Sequence, residues 1–137
     1  MNFRNKRGGL FYGFVKGTSM WPEFIPRDIL RARAVTAEAL APGDIIVISH
    51  NSPNPVVHRC IAKSMQDSDT ILLHTAGDRS GSDSPLTADP EKKFLRVIGV
   101  LRKGLWMKPG REPFAHAEAV PDCIVRLHCR IVRKFFW

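Results

Sequence analysis

The sequence predicts a mainly β protein, one globular domain ending in a single amphipathic helix. Three observations predict it. Short β-branched and aromatic runs alternate with Gly and Pro clusters along most of the chain. Residues 56–63 show a period of two, and the period lengthens to that of a helix only after Pro121. At 137 residues the chain is long enough for one sizeable core and no more. With 44% hydrophobic and 25% charged residues it is globular, which excludes collagen, coiled coil and low-complexity polymer.

Taken in order, the first expected strand is residues 10–15, Leu-Phe-Tyr-Gly-Phe-Val, rich in residues that suit a pleated, half-buried surface. Residues 29–35 and 45–49 follow, and the turn-former Pro42-Gly43-Asp44 launches the second of these, so Asp44 reads as structural. Residues 51–55, Asn-Ser-Pro-Asn-Pro, form a loop. In the strand 56–63, alternation puts Val56, His58, Cys60 and Ala62 on one face and Val57, Arg59, Ile61 and Lys63 on the other. His58 therefore points with small or apolar neighbours, towards a partly buried side. Strands at 70–76 and 95–101 complete the series. Residues 104–120, with Pro109, Gly110 and Pro113, read as an extended connection.

From Pro121 onward Ile124, Leu127, Ile131 and Phe135 recur at helical spacing, while Arg126, Arg130, Arg133 and Lys134 gather on another face. Pro121 suits a helix start, and Asp122 complements the dipole there. Phe135, Phe136 and Trp137 close the chain. Two roles stand open for such a helix. It lies on an anionic membrane surface, or it packs on its own sheet with a solvated basic face. Residues 1–104 are expected to form the main domain, and 105–137 the connection and helix.

The charge balance, 21 Lys and Arg against 13 Asp and Glu, gives +8 and predicts an anionic partner. Nucleic acid is the weaker candidate, since no reading motif accompanies the charge. No apolar run approaches the roughly 18 residues of a membrane span. The N-terminus resembles a signal peptide in charge, but its apolar stretch is short, Gly-interrupted and without a small-x-small cleavage site, so export is not expected. Three cysteines, Cys60, Cys123 and Cys129, have neither disulfide-framework nor metal spacing and point to a reducing, cytoplasmic compartment. Cys60 reads as a small buried filler rather than a reactive thiol. His50, His74, His116 and His128 form no ligand cluster, and neither a metal nor another cofactor is implied.

The strongest local signal is Lys16-Gly17-Thr18-Ser19-Met20-Trp21-Pro22. A serine directly after a Gly-containing turn can present both its hydroxyl and its own N–H to a substrate carbonyl, as nucleophile and oxyanion donor. Alone, this is one serine in one turn. Read in order, GTSMWP, PGDIIVI, PVVHRCIA, AGDRSGSDSP and VIGVL resemble the boxes of the signal peptidase I superfamily of serine endopeptidases, over roughly residues 14–101. The resemblance implies a coiled, all-β catalytic domain. It matches Ser19 to the nucleophile, with Met20 and Pro22 as the residues that follow it, and places Gly17, Thr18 and Met20 at the oxyanion and substrate groove.

At the general-base position the sequence has His58, and Lys16 and Lys63 fall outside that box. This is similar to the Ser-His subgroup. The chemistry is coherent, because an imidazole accepts a proton near neutrality whereas an ammonium must first be heavily desolvated. Such a base gains from a carboxylate that holds its tautomer. The resemblance offers Asp78 and Asp83, and favours Asp83 as the orienting acid, with Asp78 a loop-fixing residue. The implied activity is removal of a leader or propeptide from a protein precursor, cytoplasmic or peripheral at a membrane surface.

Two departures qualify the match. The family's usual membrane span is lacking, and Gly17-Thr18 stands where signal peptidases often carry Ser-Gly. The Gly-x-Ser-Met form is also similar to the LexA and UmuD self-cleaving proteins, which share the fold. Those use lysine and cut an Ala-Gly or Cys-Gly pair, and neither pair precedes Ser19 here. The competing reading of another class is a peptide-binding module that holds an extended strand without cutting it.

Overall fold

The computed structural model describes residues 3–6, 8–49 and 52–136. His50, the Asn51 end of the 51–55 loop and the terminal Trp137 lie outside the described residues. The protein is mainly β, with one antiparallel sheet and one C-terminal helix, as the sequence predicts. The strands are β1 (Arg4–Lys6), β2 (Leu10–Phe14), β3 (Ile29–Thr36), β4 (Ile45–Ile48), β5 (Val56–Asp67), β6 (Thr70–Gly77), β7 (Gly81–Ser82), β8 (Leu86–Ala88), β9 (Lys93–Arg102) and β10 (Leu105–Met107). The helix α1 runs Asp122–Phe136. The six longest strands coincide with the six expected, within a few residues at each end. β1, β7, β8 and β10 are too short to show a period of their own and form because a longer neighbour offers them a ladder.

Strands run across the sheet in the order β1-β2-β3-β9-β4-β5-β6-β7, with β10 added to β9 and β8 to β6. Alternate residues of the central strands feed two different cores. Ile45 and Val47 of β4 and Leu95 and Val97 of β9 join Leu30, Ala32, Met20, Phe24 and Val57 in one. Ile46 and Phe94 turn the other way, to Cys60, Ile71, Leu73 and Leu40. A sheet buried on both sides explains why β4 reads as an unbroken apolar run, Ile-Ile-Val-Ile, rather than as an alternation.

In β5 the alternation holds only from Val56 to Cys60. A bulge between Cys60 and Ala62 then disturbs the register against β6, and Ile61 faces solvent although Val57 and Arg59, which the period groups with it, are buried. Lys63 is pinned on the carbonyls of Glu38 and Leu40 at 2.5 and 2.8 Å. The connection 104–120 is more structured than expected. Leu105–Met107 pairs with β9 across a tight turn at Lys103 and Gly104, both at positive φ, and Ala117–Ala119 forms one 3-10 turn.

Asp44 does what its turn suggests. Its carboxylate accepts from the Ala41 N–H at 3.0 Å, and its backbone pairs with Cys60. Cys60 itself is fully buried, and burial, reinforced by the Asp44 charge, holds its thiol above the usual thiol range. Iodoacetamide at neutral pH is therefore expected to modify the exposed Cys123 and spare Cys60 until denaturant is added, as read by peptide mapping. Because the folded thiol keeps its proton longer than the unfolded one, stability from this group is present below the unfolded thiol's range and is lost as the pH rises from there through the raised folded range.

α1 packs through Val125 and Val132 onto Trp21, Ile25 and Ala117, with Cys129 against the same cluster. This is not the apolar row that the spacing picks out. Ile124, Leu127, Ile131 and Phe135, the apolar row with the clearest helical spacing, remain exposed. Among the described residues no helix is long and apolar enough to cross a membrane.

Candidate active site

Ser19 lies in the loop between β2 and β3. The loop is closed at its base by Val15 and Asp28 (Val15 N–H to the Asp28 carbonyl, 2.9 Å) and by Arg27 N–H to the Val15 carbonyl, 2.8 Å. Met20 and Phe24 drop from it into the first core and Trp21 into the cluster beneath α1, so the loop is anchored on both sides of the serine. Ser19 is left partly exposed at its crest. Gly17 is exposed and carries nothing within 4 Å of where a side chain would begin, which leaves the approach to Ser19 open.

His58 sits on β5 opposite Ile46 and is only 6% exposed. Its Nε2 lies 3.3 Å from Ser19 Oγ, and its Nδ1 lies 2.6 Å from Asp83 Oδ2. An ionised carboxylate only accepts, so Nδ1 carries the hydrogen and donates to Asp83, and Nε2 is left to accept from the Ser19 hydroxyl. The 3.3 Å separation is on the long side, as catalytic hydrogen bonds often are without substrate. The same Asp83 Oδ2 accepts from Thr75 Oγ1 at 2.7 Å, and the Asp83 N–H donates to the Thr75 carbonyl at 2.8 Å. Asp83 is thus held by backbone and side chain of one buried residue.

The β6–β7 hairpin explains why Asp83, and not Asp78, meets the histidine. Pairing of Ala76 with Ser82 and of Gly77 with Gly81 folds the chain back so that Asp83 returns beside Thr75. Gly81, at φ 80°, supplies the left-handed residue the hairpin needs. Asp78 stays in the turn and takes Arg59, the neighbour of His58 on the opposite strand face. Arg59 Nε and Nη2 reach Asp78 Oδ1 and Oδ2 at 2.8 and 2.7 Å, and both side chains are 2% exposed. Arg59 also donates to the Gly110 carbonyl at 2.6 Å, tying the segment after β10 to the sheet.

Three features of the site escaped the sequence reading. Gly77 abuts the His58 ring and the Ser19 backbone: a Cβ there would lie 2.9 Å from His58 Nε2 and 3.0 Å from the Ser19 carbonyl oxygen, and closer still to Ser80 Oγ. Thr75 is a polar residue in the inward row Ile71, Leu73, Thr75, and that interruption was its available signal. Arg79 donates its backbone N–H to the Ser19 carbonyl at 2.8 Å, while its guanidinium binds the Val120 carbonyl and Asp122 at the start of α1. Trp21 Nε1 donates to His128 Nδ1 of α1 at 3.0 Å. The helix is therefore fastened to the serine loop at two points.

Next to Ser19 opens a groove of about 260 Å³, lined by Val15, Gly17, Met20, Phe24, Pro55 and Val57, with Lys16, Asn54 and Val56 at its margin. Met20 is buried in its floor, and its Sδ accepts from the Asp78 N–H at 3.4 Å. Thr18 caps the turn through its carbonyl to the Trp21 N–H, 3.0 Å. Of the residues singled out in the sequence, Ser19, His58 and Asp83 are brought into hydrogen-bonded line. Gly17 and Met20 line the groove beside them, Thr18 holds the turn, and Asp78 is engaged elsewhere. Comparison with protein-family models, curated proteins and solved structures finds no significant match.

Proposed function

We propose that this chain is a serine endopeptidase of signal peptidase I type that removes a leader or propeptide from a specific protein precursor on the cytoplasmic side. One observation carries the reading: Ser19 Oγ, His58 and Asp83 form a continuous hydrogen-bonded series, at 3.3 and 2.6 Å, that opens onto an apolar groove. A buried histidine held by a carboxylate on one nitrogen and a serine on the other is the arrangement that proton transfer during acyl transfer requires.

In this reading an extended peptide lies in the groove with an apolar side chain against Val15, Met20, Phe24 and Val57. Ser19 Oγ attacks the scissile carbonyl carbon as His58 Nε2 takes its proton, and the new oxyanion is met by the Ser19 N–H. His58 then gives the proton to the leaving amine as the C–N bond breaks. Water attacks the acyl ester with His58 again as base, releasing the second product and freeing Ser19. Asp83 holds the Nδ1–H tautomer and balances the charge of the imidazolium formed at each step. The three cysteines, none in a disulfide, support a reducing compartment.

The test is proteolysis of candidate precursor peptides, with small residues before the cut, by the purified chain and by Ser19→Ala and His58→Ala, with products identified by mass. The expected result is one cut site, lost in both variants. Peptide binding that is retained without any cleavage, and unchanged in Ser19→Ala, overturns the reading in favour of a peptide-binding module.

A further inference from the structure

We propose that the outward face of α1 is a docking surface for an anionic lipid bilayer. The helix has two apolar faces and uses only one for its own fold. Val125, 1% exposed, and Val132 seal it onto Trp21, Ile25 and Ala117. Ile124, Leu127, Ile131 and Phe135 form a second row along its length, exposed at 49, 51, 44 and 68%. A surface helix needs one buried stripe, and a second row of large apolar side chains left in solvent marks an interaction surface.

Charge identifies the occupant. Arg126, Arg130, Arg133 and Lys134 are all exposed on the outward side, beside that row, and the only acid of the helix, Asp122, is engaged by Arg79 at its start. An apolar row with a flank of arginines is complementary to a bilayer, whose acyl region accepts the row while anionic headgroups meet the guanidinium groups. A second copy of the chain would bring like charges together along the same row. Nucleic acid would neutralise the arginines and leave the apolar row in water. The fit extends over the whole 15-residue helix, roughly 22 Å, lying parallel to the surface. Because α1 is fastened to the serine loop through Arg79 and the Trp21–His128 hydrogen bond, docking would tether the loop that carries Ser19 to the lipid-bound helix.

The experiment is flotation of the full chain with phosphatidylcholine vesicles, with and without phosphatidylglycerol, alongside Leu127→Ser/Ile131→Ser and Arg126→Gln/Arg130→Gln/Arg133→Gln. All five positions are exposed, so circular dichroism should show both variants folded. Expected is binding that requires phosphatidylglycerol and weakens with salt. It should fall roughly fivefold for each arginine removed, on the order of 100-fold for the triple variant, and fall strongly in the serine variant as well. Binding untouched by the serine substitutions overturns the proposal, since charge alone would then suffice. So does the absence of vesicle binding together with a concentration-dependent dimer that the serine substitutions dissolve.

Discussion

Asp83→Asn is expected to lower kcat about 10,000-fold while leaving the protein folded, if Ser19, His58 and Asp83 act together as proposed. The amide keeps the size of the carboxylate and can still accept from Thr75, so the hairpin that carries it should persist. What it removes is the charge facing His58 Nδ1 at 2.6 Å. Without that charge the imidazolium formed during attack is no longer balanced, and the Nδ1–H tautomer is no longer enforced. The loss should lie in kcat, with KM little changed, because Asp83 stands behind the histidine and does not line the groove. Steady-state kinetics on a cleaved precursor peptide, with thermal melts of both proteins, check this. A variant that folds normally and cleaves at near wild-type rate would remove Asp83 from the chemistry.

Asp78→Ala is expected to do the opposite and unfold the protein more than it disables a site. It leaves the Arg59 guanidinium, 2% exposed, without its counter-charge, and breaking one side of a buried pair costs about 3–5 kcal/mol. For a chain of this size that corresponds to a lowering of Tm by roughly 10–20 °C. The carbonyls of Gly43 and Gly110 still accept from Arg59 but carry no charge to offset it. Calorimetry on Asp78→Ala beside the double variant Arg59→Met/Asp78→Leu checks the cause: the double variant should recover much of the stability, because an apolar pair leaves no stranded ion. If the double variant is as unstable as the single, the loss comes from the turn and not from the orphaned charge.

These two carboxylates, five positions apart on either side of β7, mark the boundary between what was legible in the chain and what was not. That Ser19 sits in a glycine-preceded turn and His58 on a strand among small apolar neighbours is local information, written in residue type and in a period of two. The six principal strands and the helix were legible for the same reason, since alternation and helical spacing depend on neighbours a few positions away. The edge strands β1, β7, β8 and β10 were not, because two to three residues carry no period and a partner strand must supply their hydrogen bonds. Gly77 gave no local sign of its role, because its lack of a side chain matters only where His58 and the Ser19 carbonyl converge on it.

By itself, then, the sequence determined a mainly β chain with a C-terminal helix, and the positions of a serine in a turn and a strand histidine that the fold brings together. Only the tertiary structure decided which acid reaches that histidine, and which face of α1 is buried. His58 and Asp83 are 25 positions apart, and the β5–β6 register with the β6–β7 hairpin brings them together while Asp78 is left facing Arg59. On the helix, Ile124, Leu127, Ile131 and Phe135 show the stronger periodicity, yet Val125 and Val132 are buried because the Arg79 and His128 contacts fix the rotation of α1 about its axis. Periodicity states that a face is apolar. Which apolar face meets the protein depends on contacts from distant parts of the chain.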